Sequence, residues 1–220
     1  MKLLIITLFI CFCHISSGMA QKTERLYKEL GDSVFVQKRY VEPFDFGYQN
    51  LSSFEVTTCH VTSKDSSQSY QVKLSNYRGT EEDGGYYRMI EIAQNGQTIM
   101  CLKQSDGWDK LQKHLRSYTD NDYFLSIPLT SSLTALVFVG YAYNSQPELL
   151  TIVLLNKEKA TLVFNKGMLI KNIIHDGISF VMNLQDLPVE YISENIPANT
   201  PQLYQIFWEN GELKLKGPLN

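Results

Sequence analysis

YQVKLSNY, residues Tyr70 to Tyr77, alternates: Tyr70, Val72, Leu74 and Asn76 share one side, and Gln71, Lys73 and Ser75 the other. A period of two is the pattern of a strand with one buried face. Asn76 is the irregular member, because a polar amide continues a register otherwise filled by apolar groups. Two readings of it stay open. Either it begins the turn toward Gly79, or it sits at the wetted mouth of an apolar cup, where an amide stays solvated or bonds a ligand.

Similar segments extend in both directions. Ser33–Tyr40, Phe54–Thr62, Tyr86–Ala93, Thr98–Lys103, Tyr123–Ile127, Thr134–Tyr143 and Glu148–Leu155 read as strands, and Tyr204–Trp208 adds one in the tail. Asn95-Gly96 lies between two of them and Asn210-Gly211 follows the last. Asn-Gly is the strongest short hairpin signal, because both central residues of a type I′ turn take positive φ. Trp108, Leu111, Leu115 and Tyr118 recur at spacings of three and four, which predicts a helix over 108–118. Leu169, Ile170, Ile173 and Ile174 form one stripe of a C-terminal helix, closed by Asp176-Gly177 with glycine at the C′ position.

About eight consecutive strands followed by one substantial helix must either leave two sheet edges open or close up. Thr134–Tyr143 and Glu148–Leu155 are apolar on both faces, so something must cover the outside as well as the inside. The pattern predicts an all-β protein: an eight-stranded antiparallel up-and-down barrel with the C-terminal helix packed against its outer wall.

The chain has 220 residues and a net charge of −3. Lys2, the apolar run Leu3–Cys13 and the small-residue site Gly18-Met19-Ala20 read as a secretory signal peptide over 1–20, leaving 21–220 as a single secreted domain. No later stretch is apolar for the roughly 20 residues of a membrane helix, which argues against stable membrane insertion. Mild acidity without a basic run argues against nucleic acid. Beyond the signal segment only Cys59 and Cys101 remain. In an oxidising compartment such a pair usually bonds, and a loop of about forty residues would contribute roughly 4 kcal/mol; the alternative is a reactive thiol. Asn50-Leu51-Ser52 is a glycosylation sequon.

Catalytic signals are absent from the sequence. His60, His114 and His175 are far apart, which gives no metal- or haem-ligand spacing. There is no G-x-S-x-G, H-E-x-x-H or phosphate loop, and Gly84-Gly85 lacks the strand–helix context of a nucleotide fingerprint. Glu81-Glu82 falls in an acidic loop without the burial that tunes a catalytic carboxyl. The sequence therefore implies neither enzyme nor cofactor.

Several segments resemble one family. VKLSNY (72–77) resembles the third-strand segment of insect bile-pigment-binding lipocalins, and Tyr87–Glu91 continues the similarity. Tyr123–Lys157 looks like the sixth to eighth lipocalin strands, with Leu155-Asn156-Lys157 at the closing L-S-R and Thr130-Ser131 in the region of the T-D motif. GDSVFVQKRY (31–40) is similar to the opening G-x-W and its strand, with Ser33 in place of the tryptophan and Lys157 in place of the family arginine.

The resemblance implies a carrier that holds a small hydrophobic ligand in a barrel calyx. Tyr70, Leu74, Ile90, Ile92 and Phe138 would line the cup and Asn76 would stand near its mouth; the alternative is that these apolar residues fill a solid core. A second function stays open, a secreted interaction module whose partner is an extracellular protein. Its contact surface would be Phe44, Phe46 and Tyr48 with the 108–118 insertion. A cavity of about 300 Å3 or more favours the carrier, and a filled interior favours the interaction module.

Overall fold

A computed structural model of the chain describes residues 21–42, 47–48, 50–80, 83–140, 148–176, 179–186 and 201–219. The expected signal peptide, Phe44, Phe46, Tyr141–Tyr143 and Gly177 lie outside the described residues. In chain order the strands are β1 (Lys22–Leu30), β2 (Ser33–Val36), β3 (Ser53–Thr62), β4 (Ser69–Tyr77), β5 (Tyr87–Gln94), β6 (Gln97–Trp108) and β7 (Phe124–Pro128). They continue with β8 (Leu133–Val139), β9 (Leu149–Asn156), β10 (Lys159–Gly167), β11 (Leu169–His175), β12 (Phe180–Gln185), β13 (Leu203–Glu209) and β14 (Glu212–Leu219).

These strands form three antiparallel sheets. The first is the meander β3-β4-β5-β6 and the second the meander β7-β8-β9-β10. The third is β11-β12-β13-β14 extended by β1 and β2, so the N-terminal hairpin completes the C-terminal sheet. Tight turns set the meanders: Asn95 (φ 50°) and Gly96 (φ 77°) join β5 to β6, and Asn210 (φ 52°) and Gly211 (φ 75°) join β13 to β14. These are the two Asn-Gly turns read from the sequence. Between β10 and β11 only Met168 intervenes, so the chain runs almost unbroken from the second sheet into the third.

The second sheet lies in the middle of a three-layer stack. Phe124, Leu136, Phe138, Val153 and Leu155 on one of its faces pack with Val72, Leu74, Ile90 and Ile92 of the first sheet. Leu125, Ile127, Val137, Ile152 and Leu154 on the other pack with Met182, Leu184, Ile206, Leu213 and Leu215 of the third. Both faces of β8 and β9 are therefore apolar with strand alternation intact. Each such side chain contributes roughly 1.5–3 kcal/mol by leaving water.

The all-β, antiparallel expectation holds, but the barrel and the helix do not. The strands divide into three open sheets rather than closing on themselves. What covers the outside of β8 and β9 is a third sheet, not a helix, and local pattern cannot separate the two because each presents an apolar face. The expected helix is β11. Its pairing with β12 slips between Ile170 and Asn172, and this bulge brings Ile170 and Ile173 both inward, so a spacing of three arises in a strand. Segment 108–118 is not a helix either. Trp108 ends β6, Leu111 and Leu115 are buried in the connection to the second sheet, and only Arg116–Tyr118 form a 3-10 turn.

The expected disulfide is also overturned: Cys59 and Cys101 are both free thiols. Cys59 lies opposite Val72, in the inward register of the first sheet, while Cys101 lies opposite Glu91, which in turn faces Lys73. Two strands intervene, which at about 4.8 Å per strand puts the cysteines roughly 14 Å apart and on opposite faces, beyond disulfide reach.

Candidate functional site

The apolar residues named as a calyx lining come together in one cluster. Leu74 pairs across to Ile90 and Val72 to Ile92, and Tyr70 and Phe138 join them. Tyr70, Leu74, Ile90, Ile92 and Phe138 are at most 1% exposed, and the Tyr70 hydroxyl donates to the Lys157 carbonyl at 2.5 Å. They pack against one another between the first and second sheets.

Asn76 stands at the end of this register, where the packing turns polar. Its Oδ1 accepts from the Tyr77 amide at 2.9 Å, Arg88 Nη1 at 3.0 Å and the Thr80 hydroxyl at 3.1 Å, while Nδ2 donates to the Tyr86 carbonyl at 3.3 Å. Arg88 is fully buried. Its guanidinium donates through Nε to the Ser105 carbonyl at 2.8 Å, through Nη1 to Thr80 Oγ1 at 3.1 Å as well as to Asn76, and through Nη2 to the Gly84 carbonyl. Tyr48 lies over it at 5.4 Å and donates its hydroxyl to Asp83. Every hydrogen-bond acceptor that Arg88 meets among the described residues is neutral. Asn76 is inside because it faces a buried arginine.

Two glycines let this corner close. Gly85 (φ +73°) and Gly107 (φ +75°) bring the loop before β5 against the end of β6, and the Tyr86 amide donates to the Trp108 carbonyl at 2.6 Å. A Cβ at Gly107 would stand 2.6 Å from the Tyr87 carbonyl oxygen, and one at Gly85 2.5 Å from that of Asp106.

Outside Asn76 opens a cleft of about 390 Å3 lined by Phe54, Glu55, Val56, Asn76, Gly85, Tyr86 and Tyr123. Phe54 is the cross-strand partner of Asn76, and the slip in β3 between Glu55 and Thr57 lets consecutive residues share the wall. Tyr86 is 45% exposed and meets Tyr123 at 6.2 Å between ring centroids. Two cations flank the rings without lining the cleft: Lys110 Nζ is 4.1 Å from the Tyr86 centroid, and the Arg78 guanidinium is 5.8 Å from that of Phe54. The Tyr86 hydrogen bond is the main cause that holds the Lys110 ammonium above its ordinary range.

A larger groove of about 760 Å3 runs along one side of the stack. It is lined by Cys59–Thr62 of β3, the 117–121 loop, Phe124, Ser126 and Ile127 of β7, and Ile173 and His175 of β11. These three strands are the edge strands of the three sheets. Burial is the main cause that pushes the Cys59 thiol up, so it is not an activated thiolate. His60 and His175, distant in sequence, meet at this groove. Among the described residues no group of three or more His, Cys, Asp or Glu is placed to hold a metal ion. Asn50 of the sequon is exposed just before β3.

Sequence reasoning missed Arg88, Glu55, Tyr86 and Tyr123. A signal existed for the first: Arg88 shares parity with Ile90 and Ile92 as Asn76 does with Leu74, and antiparallel pairing of Leu74 with Ile90 puts the two polar exceptions side by side. Tyr86 and Tyr123 stand just before strands of different sheets, β5 and β7, and nothing local links them. Compared with family models, with curated proteins and with solved structures, the chain matches none of them.

Proposed function

We propose that the protein is a secreted, non-catalytic interaction module that takes an extended segment of another extracellular protein along its β3 edge. The observation that carries this reading is the groove where β3, β7 and β11 end their sheets side by side. Among the described residues β3 pairs with β4 alone, so one row of its backbone donors and acceptors faces the groove. Strand addition is the recognition mode that such an edge offers, with main-chain hydrogen bonds for affinity and alternate side-chain pockets for specificity. The packed interior supports an interaction module over a calyx carrier, because Tyr70, Leu74, Ile90, Ile92 and Phe138 occupy one another's space.

The test selects peptides from a displayed random library on the folded protein and locates them by amide hydrogen exchange. Selected peptides are expected to slow alternate amides across 57–62. Peptides that protect other strands, or a library that yields no binder, would overturn the reading.

A further inference from the structure

We infer that the cleft beside Asn76 is a binding site for a neutral pyranose sugar, alone or as the end of a saccharide. Its walls set the ligand chemistry by what they favour and what they oppose. Phe54, Tyr86, Tyr123 and Val56 supply apolar surface, and aromatic faces take flat apolar surfaces well. A purely aliphatic ligand is opposed, since it would cover the Glu55 carboxylate and the Asn76 amide without bonding either. An anion is opposed by Glu55 in the wall. An organic cation is opposed because Lys110 and Arg78 already lie against Tyr86 and Phe54. What remains is a neutral ring with apolar faces and a hydroxyl edge.

The polar groups suit that edge. Glu55 Oε1 accepts from the Thr58 hydroxyl at 2.8 Å, and among the described residues Oε2 has no partner. Asn76 uses one N–H of Nδ2 on the Tyr86 carbonyl, which leaves its second N–H. One wall thus offers an acceptor and another a donor, the pair that one hydroxyl or two adjacent ones can satisfy. Asn76 is pre-oriented, because Arg88, Thr80 and the Tyr77 amide fix its Oδ1. A donor held still in advance loses little entropy on binding.

The site is independent of the edge groove: the cleft uses residues 54–56 of β3 and the groove uses 59–62. The experiment is saturation-transfer NMR and titration calorimetry with the methyl glycosides of glucose, galactose, mannose and N-acetylglucosamine, beside choline and indole as cationic and apolar probes. At least one glycoside is expected to bind, and more tightly than either probe. Tyr86→Ala should weaken it about tenfold, as loss of one stacking ring does, and Glu55→Gln by about fivefold or more. Both positions are exposed, so thermal unfolding should show the variants folded, and Ser69→Ala at the far end of β4 should bind as the parent does. The inference is overturned if no glycoside binds, if choline or indole binds more tightly, or if folded Tyr86→Ala binds unchanged.

Discussion

Replacing Arg88 by methionine keeps most of the side-chain volume and removes every donor. The four acceptors around it then fare differently. Asn76 Oδ1 keeps the Tyr77 amide, and the single Thr80 hydroxyl proton remains shared between Asn76 Oδ1 at 3.1 Å and the Tyr77 carbonyl at 2.8 Å. The carbonyls of Ser105 and Gly84 lose charge-assisted bonds, and each orphaned acceptor costs about 1–3 kcal/mol. Both residues are only half-buried, so water offsets part of this, and removal of a desolvated charge offsets more. The net destabilisation is about 3 kcal/mol, a large share of the roughly 5–15 kcal/mol that holds such a domain folded. With a urea slope near 2 kcal/mol/M the midpoint should fall by about 1.5 M. Arg88→Lys separates charge from shape. If an anion held Arg88, lysine would rescue stability; if a fork of donors meets dispersed neutral acceptors, one ammonium cannot span them and lysine should do no better than methionine. Urea unfolding of both variants, followed by tryptophan fluorescence, decides this. Arg88→Lys within about 1 kcal/mol of the parent would refute the reasoning, as would a methionine variant of parental stability.

Two further outcomes follow from the same geometry. Protein denatured without reductant should titrate two free thiols, and recovery of none would show that Cys59 and Cys101 are bonded and that the first sheet is registered differently. Burial is the main cause that raises the Glu148 carboxyl, with the Gln112 amide opposing it, so the folded state holds this proton more tightly than the unfolded one. The stability it contributes is complete below the unfolded value near 4.3 and is lost as pH rises through the raised folded value. Glu148→Gln should therefore stabilise the protein at pH 7 relative to the parent, with the gain vanishing near pH 4 in thermal melts, and a variant that loses stability at pH 7 contradicts this.

Strands were legible where alternation, a Val- and Thr-rich run or a continuous apolar run stood out in the sequence. Phe54–Thr62, YQVKLSNY and Glu148–Leu155 fall within two residues of β3, β4 and β9. In two of the elements not read as strands, β1 and β11, a bulge breaks the parity. In β1 the pairing slips between Arg25 and Tyr27, so the adjacent Leu26 and Tyr27 are both buried inside an otherwise charged stretch, KTERLYKEL. In β11 the same device copied a helical stripe. Sheet stacking was illegible for a different reason, since an apolar outer face on β8 and β9 states that a cover exists and not what it is made of. The candidate site was half legible. Asn76 stood out because a polar residue in an apolar register demands a partner, and that partner, Arg88, is the matching exception on the next strand. Glu55 gave no such sign, being an exposed acid in a half-exposed strand.

Open sheets also change what the edges must do. A barrel has none; three open sheets have six, and unpaired edges invite association unless they are managed. β2 is only four residues long and β7 only five, ending at Pro128, which cannot donate to a neighbour. β10 is covered at Asn165 by a parallel bridge from Val41 and a bond from the Glu42 amide. β6 ends in a bridge from Trp108 to Gly140, and β11 carries a bulge with the exposed Lys171 in it. β3 differs: ten residues long, it has one slip between Glu55 and Thr57, and its remaining half from Thr58 to Thr62 is regular and rich in threonine and valine. That half carries no Asp, Glu, Lys or Arg, and it borders the groove. The half of β3 beyond its slip, Thr58–Thr62, keeps a regular register beside the groove, so it is where a strand from elsewhere would add.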